Sequence, residues 1–325
     1  FILGALASGV LLYGMSLLYG LTGSLSLVTV SQASTTLSSE SLPLMLAIAM
    51  VVVGLLFKLG AVPFHMWVPD VYDGSATSTT LYLSAVPKLA AFAILLRLLF
   101  SGLGDWIEIW QDMLAVAAVL SIALGNVVAI AQTSIKRMLA YSTISNMGFL
   151  LLGFFAGTAA GYSAAMAYAV IYMVATLAVF GVILALTRPG FESDLLDDFR
   201  GLNERNPWLA FLMLTVMFSL AGIPPTAGFF AKLMVLQAAL GSGFIEIVVV
   251  AAILAVVGAF YYLRVVKLMY FDSPQPGVLK ISAQGYRRST IWVLTANAIL
   301  LIAITPWIGK TIDFIAFSFV HLDLP

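Results

Sequence analysis

The 325-residue chain has no cysteine, only two histidines, and charged side chains at 9% of its positions. Each scarcity excludes something. Without cysteine there is no disulfide, iron–sulfur cluster or thiolate-bound metal in the chain. His65 and His321 lie far apart in the sequence, so no metal site is expected. A soluble domain carries about 25% charged residues, and this chain cannot cover a globular surface with polar groups. The net charge is zero, which leaves no electrostatic footprint for nucleic acid. No Gly-rich phosphate loop, catalytic triad or paired-carboxylate pattern occurs. Phe1 opens directly into an apolar run, without the charged n-region of a signal peptide. The chain is therefore expected to be part of a longer one, already in the membrane where it starts.

What is abundant is apolar: 62% of residues, with a mean hydropathy of +1.07. The apolar runs are long and continuous rather than alternating, so the fold class is an all-α integral membrane protein and not a barrel. About nine transmembrane spans of roughly 20 residues are expected, near 1–21, 42–67, 77–100, 113–131, 138–156, 162–186, 208–240, 244–271 and 291–319. No soluble domain, low-complexity linker or heptad array interrupts them. Two spans carry helix breakers. Pro63 interrupts the second, and Gly222-Ile-Pro-Pro-Thr-Ala-Gly228, with Pro224 and Pro225, interrupts the long seventh. Proline removes a backbone donor and clashes with the preceding turn. Both spans are expected to be broken helices, which membranes tolerate where the break is buried in protein or lines a wet cavity.

Lysine and arginine in short loops orient the chain. The loops 132–137, 188–205 and 280–288 are basic and alternate with near-neutral ones. They are assigned to the cytoplasmic side, with the turn 70–74, and the C-terminus to the opposite side. Lys136 and Arg137 read as positive-inside anchors, and Trp67, Trp110, Trp208 and Trp307 as interface-belt aromatics.

Three lysines remain inside spans, where an ionisable group costs roughly 2.5–3.5 kcal/mol and marks function by default. Lys88 lies about 16 Å along the helix from Thr77, too deep for easy snorkelling. Lys58 precedes the break at Pro63 and Lys232 follows the break at Pro224-Pro225. Structural pairing or snorkelling is the plain reading. The sharper one is proton relay, because burial disfavours the charged form of an amine. His65 is the next candidate station, since imidazole titrates near neutral pH. It falls seven residues after Lys58, on the same face if the helix were regular. Tyr141, Ser142, Thr143, Ser145 and Asn146 form a polar run that can wire waters between sites or bond helices together.

These residues carry a resemblance. The run Phe57-Lys-Leu-Gly-Ala-Val-Pro-Phe-His-Met-Trp-Val-Pro-Asp-Val-Tyr-Asp-Gly74 resembles the signature of subunit N (the chain 2 type) of respiratory complex I, the proton-pumping NADH:quinone oxidoreductase. The segments around Lys88, at 134–148 and at 220–232 agree with it. The pattern is shared with sister subunits L and M and with multisubunit cation/proton antiporters. The Pro-Asp-Val-Tyr-x-Gly ending favours N, and a lysine rather than a glutamate at 232 argues against M. The resemblance implies an antiporter-like bundle of two inverted repeats, each with a broken helix and a buried lysine. It divides the chain into 1–106, the end of the first repeat, 107–275, the second, and 276–325, a C-terminal helix. It matches Lys58, His65, Lys88 and Lys232 to the family's proton-translocating residues.

The implied function is proton translocation driven by redox chemistry elsewhere in the complex. The chain itself would bind no cofactor, and flavin, iron–sulfur clusters and quinone belong to partner subunits. The implied partners are other membrane subunits, especially antiporter-like subunit M and the small membrane subunits, together with lipid. The implied location is the bacterial cytoplasmic membrane rather than an organellar one. Three departures stand out. The chain begins at what would be the sixth helix, so the family's membrane glutamate, partner of the first lysine, is not in it. The prolines usual after Gly74 are absent. Asn146 stands where some relatives carry histidine, so no proton stop is assigned there. Two other readings remain: a subunit of a cation/proton antiporter, and a non-pumping scaffold.

Overall fold

The structure is a computed structural model that describes residues 1–187, 193–274 and 288–310. Residues 188–192, 275–287 and 311–325, which hold parts of the basic segments 188–205 and 280–288, the end of the last expected span and His321, lie outside the described residues. Every regular element among the described residues is helical, and one isolated antiparallel bridge joins Ser134 to Leu195. The helices are α1 Ile2–Thr22, α2 Leu27–Gln32, α3 Leu42–Leu59, α4 Trp67–Gly74, α5 Thr77–Leu96, α6 Ile107–Ile130 and α7 Ile135–Phe155. They continue as α8 Ala159–Leu186, α9 Leu202–Arg205, α10 Pro207–Ala221, α11 Ala227–Gly241, α12 Ile245–Tyr270 and α13 Arg288–Ala303.

Local sequence fixes several starts. Ser134, Thr158 and Asn206 cap α7, α8 and α10 by accepting from the backbone N–H of Arg137, Gly161 and Leu209, which occupies donors that the first turn leaves unpaired. Pro207 follows its cap at a position where proline's missing N–H costs nothing.

Seven helices among the described residues are long and apolar enough to cross a bilayer, and Pro207–Ala221, Ala227–Gly241 and Ser289–Ala303 are shorter apolar helices. The expected count of nine spans is not confirmed. The 208–240 span is divided into α10 and α11, and the last span is described only to residue 310. The 42–67 span likewise ends as a long helix at Leu59 and resumes as the short α4.

α7 is the centre of the bundle, with 94% of its apolar window buried. Its polar run therefore faces protein and not lipid. α6 lies against it at close range. A Cβ at Gly125 would stand 2.6 Å from the Ser145 nitrogen, and one at Gly148 2.7 Å from the Ala118 carbonyl oxygen. Lipid offers no hydrophobic drive for helices to associate, so small residues that let backbones approach do this work. Trp110 is fully buried, donating to the Leu103 carbonyl at 3.0 Å. It belongs to the core rather than to an interface belt.

Of the segments expected on one face, 70–74, 132–137 and the described part of 188–205 come together. Arg137 pairs with Asp70 at 3.1 Å and Asp73 at 3.6 Å. Ser134 donates to Asp73, and Ile135 N–H donates to the Asp194 carbonyl. Lys136 departs from its expected role. It is 1% exposed, bonds the Ser75 carbonyl at 3.3 Å and pairs with Asp194 at 2.8 Å. It joins three segments at the end of the bundle instead of reaching outward.

Candidate functional site: two lysines on two broken helices

The first break begins at Gly60, three residues before Pro63. Gly60 takes φ 74°, a left-handed conformation that favours glycine. Its N–H donates to the Phe57 carbonyl at 3.0 Å and Ala61 N–H to Leu56 at 2.9 Å, the hydrogen-bond pattern that ends a helix with a reversed residue. The carbonyls of Lys58 and Leu59 then have no helical partner. Lys88, reaching across from α5, supplies one. Its Nζ lies 2.8 Å from the Leu59 oxygen and 3.4 Å from the Lys58 oxygen, and 4.4 Å from the centre of the Trp67 ring. Lys88 is 3% exposed and makes no ion pair among the described residues.

The second break repeats this plan. Gly222 takes φ 82°. Gly222 N–H donates to Phe218 at 3.0 Å and Ser219 at 3.1 Å, and Ile223 N–H to Phe218 at 2.9 Å. The Leu220 and Ala221 carbonyls are left over. Lys232 Nζ lies 2.8 Å from the first and 2.9 Å from the second, and 5.1 Å from the centre of the Phe149 ring. Pro63 and Pro225 each follow the glycine by three residues, and both are cis.

A buried cation without a carboxylate needs another source of negative potential. Each ammonium sits at a helix C-terminus, where aligned peptide dipoles amount to about half a negative charge and the last carbonyls lack partners. A hydrogen bond to a charged group contributes roughly 1.5–3 kcal/mol. The aromatic face adds about 0.5–2 kcal/mol. The breaks thus make two cation sites from backbone, inside an apolar bundle.

Polar side chains adjoin the second site. A void of about 10 Å³ is lined by Asn146, Tyr168, Tyr172, Ser219, Gly228 and Lys232, room for about one water. Tyr168 donates to Asn146 Oδ1 at 2.7 Å. Asn146 Nδ2 donates to the Ser142 carbonyl at 2.7 Å and to the Tyr262 hydroxyl at 3.2 Å. The Tyr262 and Ser142 hydroxyls are 2.5 Å apart. Tyr172 donates to Thr143 Oγ1 at 2.8 Å. Beyond Tyr262, Tyr261 donates to Asn126 Oδ1 at 3.1 Å.

The structure divides the residues singled out from sequence. Lys88 and Lys232 form the two sites, and Asn146, with Ser142 and Thr143 behind it, adjoins the second. Tyr141 and Ser145 lie one turn apart on another face of α7, packed against Gly125 of α6. Lys58 is half-buried and its side chain makes no hydrogen bond or ion pair among the described residues. It lies beside Phe57, Trp67 and the first turn of α1. His65 is not beside it. The chain leaves the helix at Gly60, so the regular-helix register that put the two on one face does not persist. His65 is half-buried in the connecting turn, with Nδ1 buried and without a hydrogen-bond partner. Trp67, read from sequence as a belt residue, covers the Lys88 ammonium. Four participants had little signal: Asn126, Tyr168, Tyr172 and Tyr262 look like core aromatics or an isolated amide. Only the i, i+4 spacing of Tyr168 and Tyr172 on one helix face pointed to a shared role.

A family model described as "NADH:quinone oxidoreductase/Mrp antiporter, TM" matches residues 1–262. The chain is 57% identical over 294 residues to NADH-quinone oxidoreductase subunit N of Thiobacillus denitrificans, covering 88% of this chain and 61% of that protein. It is 60% identical over 276 residues to subunit N of Thioalkalivibrio sulfidiphilus, covering 85% and 58%. The chain therefore spans about three-fifths of the length of these relatives. Among solved structures, a chain of respiratory complex I from Thermus thermophilus with bound aureothin superposes with a TM-score of 0.80 at 32% identity, covering 96% of this chain and 67% of that one. A chain of the Mrp complex from Dietzia superposes at 0.83 with 23% identity, covering 97% and 65%, which establishes likeness of fold alone. With its two broken helices and with four-fifths of its length inside the matched model, the chain belongs to the NADH:quinone oxidoreductase/Mrp antiporter transmembrane family.

Proposed function

We propose that this chain is the antiporter-like part of subunit N of NADH:quinone oxidoreductase, and that it moves protons across the bacterial cytoplasmic membrane through Lys58, His65, Lys88 and Lys232. Ser142, Asn146, Tyr141 and Ser145 support that path, with Tyr168 and Tyr262. The breaks at Pro63 and at Pro224 and Pro225 form its two cation sites. The segments 1–106 and 107–275 act as the end of one repeat and a second repeat, followed by 276–325. Electron transfer from NADH to quinone, with its flavin and iron–sulfur clusters, occurs in partner subunits. Antiporter-like subunit M, the small membrane subunits and lipid surround this one.

One observation carries the reading: two ammonium groups, Lys88 buried and Lys232 half-buried, are held by backbone carbonyls and, among the described residues, by no carboxylate. Such a cation is held firmly while protonated. As a neutral amine it loses its attraction to the helix end, and the freed carbonyls turn toward water. Protonation and helix-end geometry are thereby coupled, as a pump requires. A charge arriving nearby, on Lys58 or another subunit, shifts the balance toward release.

Arginine at either position tests relay against fixed charge, because a guanidinium does not deprotonate in proteins. Lys88→Arg and Lys232→Arg are each expected to assemble and to lose NADH-driven acidification in vesicles. Wild-type acidification in both would make the lysines static charges and end the relay reading. The antiporter alternative has the Mrp likeness behind it, which is a likeness of fold. Cation-dependent proton movement driven by a pH gradient without NADH would favour it.

A further inference from the structure

We infer that Arg264 is a positioning residue for the Lys232 site: its guanidinium closes the end of α6 and so holds α12 in the register that brings the Tyr262 hydroxyl to Ser142 and Asn146. The inference rests on the relay reading of Lys232. An arginine inside an apolar span marks function by default. Arg264 stands about 9 Å along α12 from its end at Tyr270, near enough to reach outward to water. Instead it turns inward, half-buried, and Nη1 donates to the Ile130 carbonyl at 3.0 Å and to the Gln132 carbonyl at 3.2 Å. Ile130 is the last residue of α6, so its carbonyl is one that the helix leaves unpaired, at the negative end of the dipole. Arg264 is thus a third cation held by backbone at a helix end, and it makes no ion pair among the described residues. A guanidinium does not give up its proton in proteins. The α6 end therefore stays closed, where the relay reading has the two helix ends at the breaks open and close.

Register matters because little else fixes α12. Only 22% of its apolar window is buried, and lipid gives helices no hydrophobic drive to associate. α6 grips it at two levels one turn apart. At the first, Asn126 Nδ2 donates to the Leu254 carbonyl at 2.8 Å, and Asn126 Oδ1 accepts from the Tyr261 hydroxyl at 3.1 Å. The amide lies over Gly258, where a Cβ would stand 2.5 Å from Oδ1. At the second level Arg264 holds Ile130. Leu254, Gly258, Tyr261 and Arg264 share one side of α12. A single contact would leave α12 free to turn about it, and a second one along the same side stops both turning and sliding. Tyr262 follows Tyr261 and is thereby aimed at α7. Its hydroxyl lies 2.5 Å from Ser142 Oγ and accepts from Asn146 Nδ2 at 3.2 Å. Asn146 lines the void beside Lys232. A slip of one residue would turn α12 by about 100° and remove both bonds. Arg264 is not in the wall of that void, so it acts on the site through Tyr262.

The test joins a reactivity ratio to a mutant cycle, both in the whole complex. Tyr262 is 1% exposed and Tyr72 is fully buried, whereas Tyr82 is 55% exposed. The complex is treated with tetranitromethane, and nitration is read by mass spectrometry. In Arg264→Ala the Tyr262-to-Tyr82 ratio is expected to rise at least fivefold with Tyr72 unchanged, and in Arg264→Lys, which keeps a cation for the carbonyls, to stay near wild type. An unchanged Tyr262 ratio, or an equal rise at Tyr72, overturns the assignment. In vesicles, Arg264→Ala and Tyr262→Phe are each expected to lower protons pumped per NADH at least twofold, and the double variant no further than Tyr262→Phe alone. Losses that multiply would mean that Arg264 acts by another route, and they overturn it too. If the alanine variant does not assemble, Arg264→Gln, which keeps a donor but no charge, takes its place in both arms with the same outcomes. Normal pumping by Lys232→Arg ends the relay reading, while the nitration ratio still reports whether Arg264 positions Tyr262.

Discussion

The two breaks share a backbone plan but obtain their cation differently. In both, a helix ends on a left-handed glycine, a proline follows three residues later, and the last two carbonyls bind an ammonium beside an aromatic face. In the second break the lysine comes from the same interrupted span, on α11. In the first it comes from the next helix, α5, and Lys58 of the interrupted span points elsewhere. What the two have in common is therefore the helix end, not the position of the lysine along the chain. A helix C-terminus in an apolar interior presents a fixed negative potential, and a lysine from either source satisfies it. Their surroundings differ too. The second site adjoins hydroxyls and an amide across a water-sized void, whereas the first is covered by the Trp67 indole.

The largest effect should come from removing the cations. Lys88→Met and Lys232→Met keep the stem's volume and delete the charge. Each is expected to reduce NADH-driven acidification at least tenfold at wild-type subunit levels, measured with a pH-sensitive dye in vesicles. If the sites are equivalent stations, the losses should be of the same order. Loss in one variant and near-normal pumping in the other would break the comparison and leave a single functional site.

A smaller effect is expected at the glycines, and it should differ between breaks. A side chain in the left-handed conformation costs about 1–2 kcal/mol. At Gly60 a Cβ would also lie 2.5 Å from Val68 Cγ2 and 3.0 Å from Lys88 Nζ. At Gly222 it would meet the Lys232 stem, 2.9 Å from Cδ, which can bend away. Gly60→Ala should therefore cut pumping severalfold and Gly222→Ala by less. Gly23→Ala has a similar φ of 69° with open space around it and controls for backbone strain. Equal losses at Gly60 and Gly23 would show that strain, and not the ammonium's position, is being measured.

Next is the network beside the second site. Tyr168→Phe deletes the donor to Asn146 Oδ1, and leaving a buried acceptor unpaired costs roughly 1–3 kcal/mol. A lower Tm of the purified complex and slower pumping are expected. Wild-type Tm and pumping in this variant would mean that the Tyr168–Asn146 bond supports neither the fold nor the second site.

How much of this was legible beforehand follows from what periodicity and chemistry encode. Apolar runs located the helices, and Gly and Pro inside them located both breaks, because those residues act on the local backbone. Lys88 and Lys232 stood out because a charge in a span is costly wherever its partner lies. The partner itself was not legible. Continuing a regular helix past Pro63 placed His65 under Lys58, but Gly60 reverses the chain first. Which lysine meets which helix end is decided by packing of α5 on α3, and no local pattern records it. Trp67 and Lys136 were read as surface anchors for the same reason. Residue type gives their chemistry, and only the tertiary fold reveals that one covers a cation and the other is buried against Asp194.

The smallest expected effect is the sharpest test of the shared plan. Two residues after the glycine the breaks differ: Val62 in the first, Pro224 in the second. Val62 has an N–H, and it is satisfied by Ser121 Oγ of α6 at 2.8 Å. Pro224 has none, so the second break needs no such partner. Ser121→Ala should therefore cost about 1 kcal/mol, the usual net contribution of one hydrogen bond, read as a small fall in Tm with pumping nearly intact. If the plans are truly interchangeable, Val62→Pro should remove the need for the serine, and Ser121→Ala should then cost close to nothing in that background. A cycle of the four proteins isolates the coupling. A full Ser121→Ala penalty in the Val62→Pro background would mean that the serine acts on something other than the Val62 N–H. The likeness between the breaks would then stop at the ammonium sites.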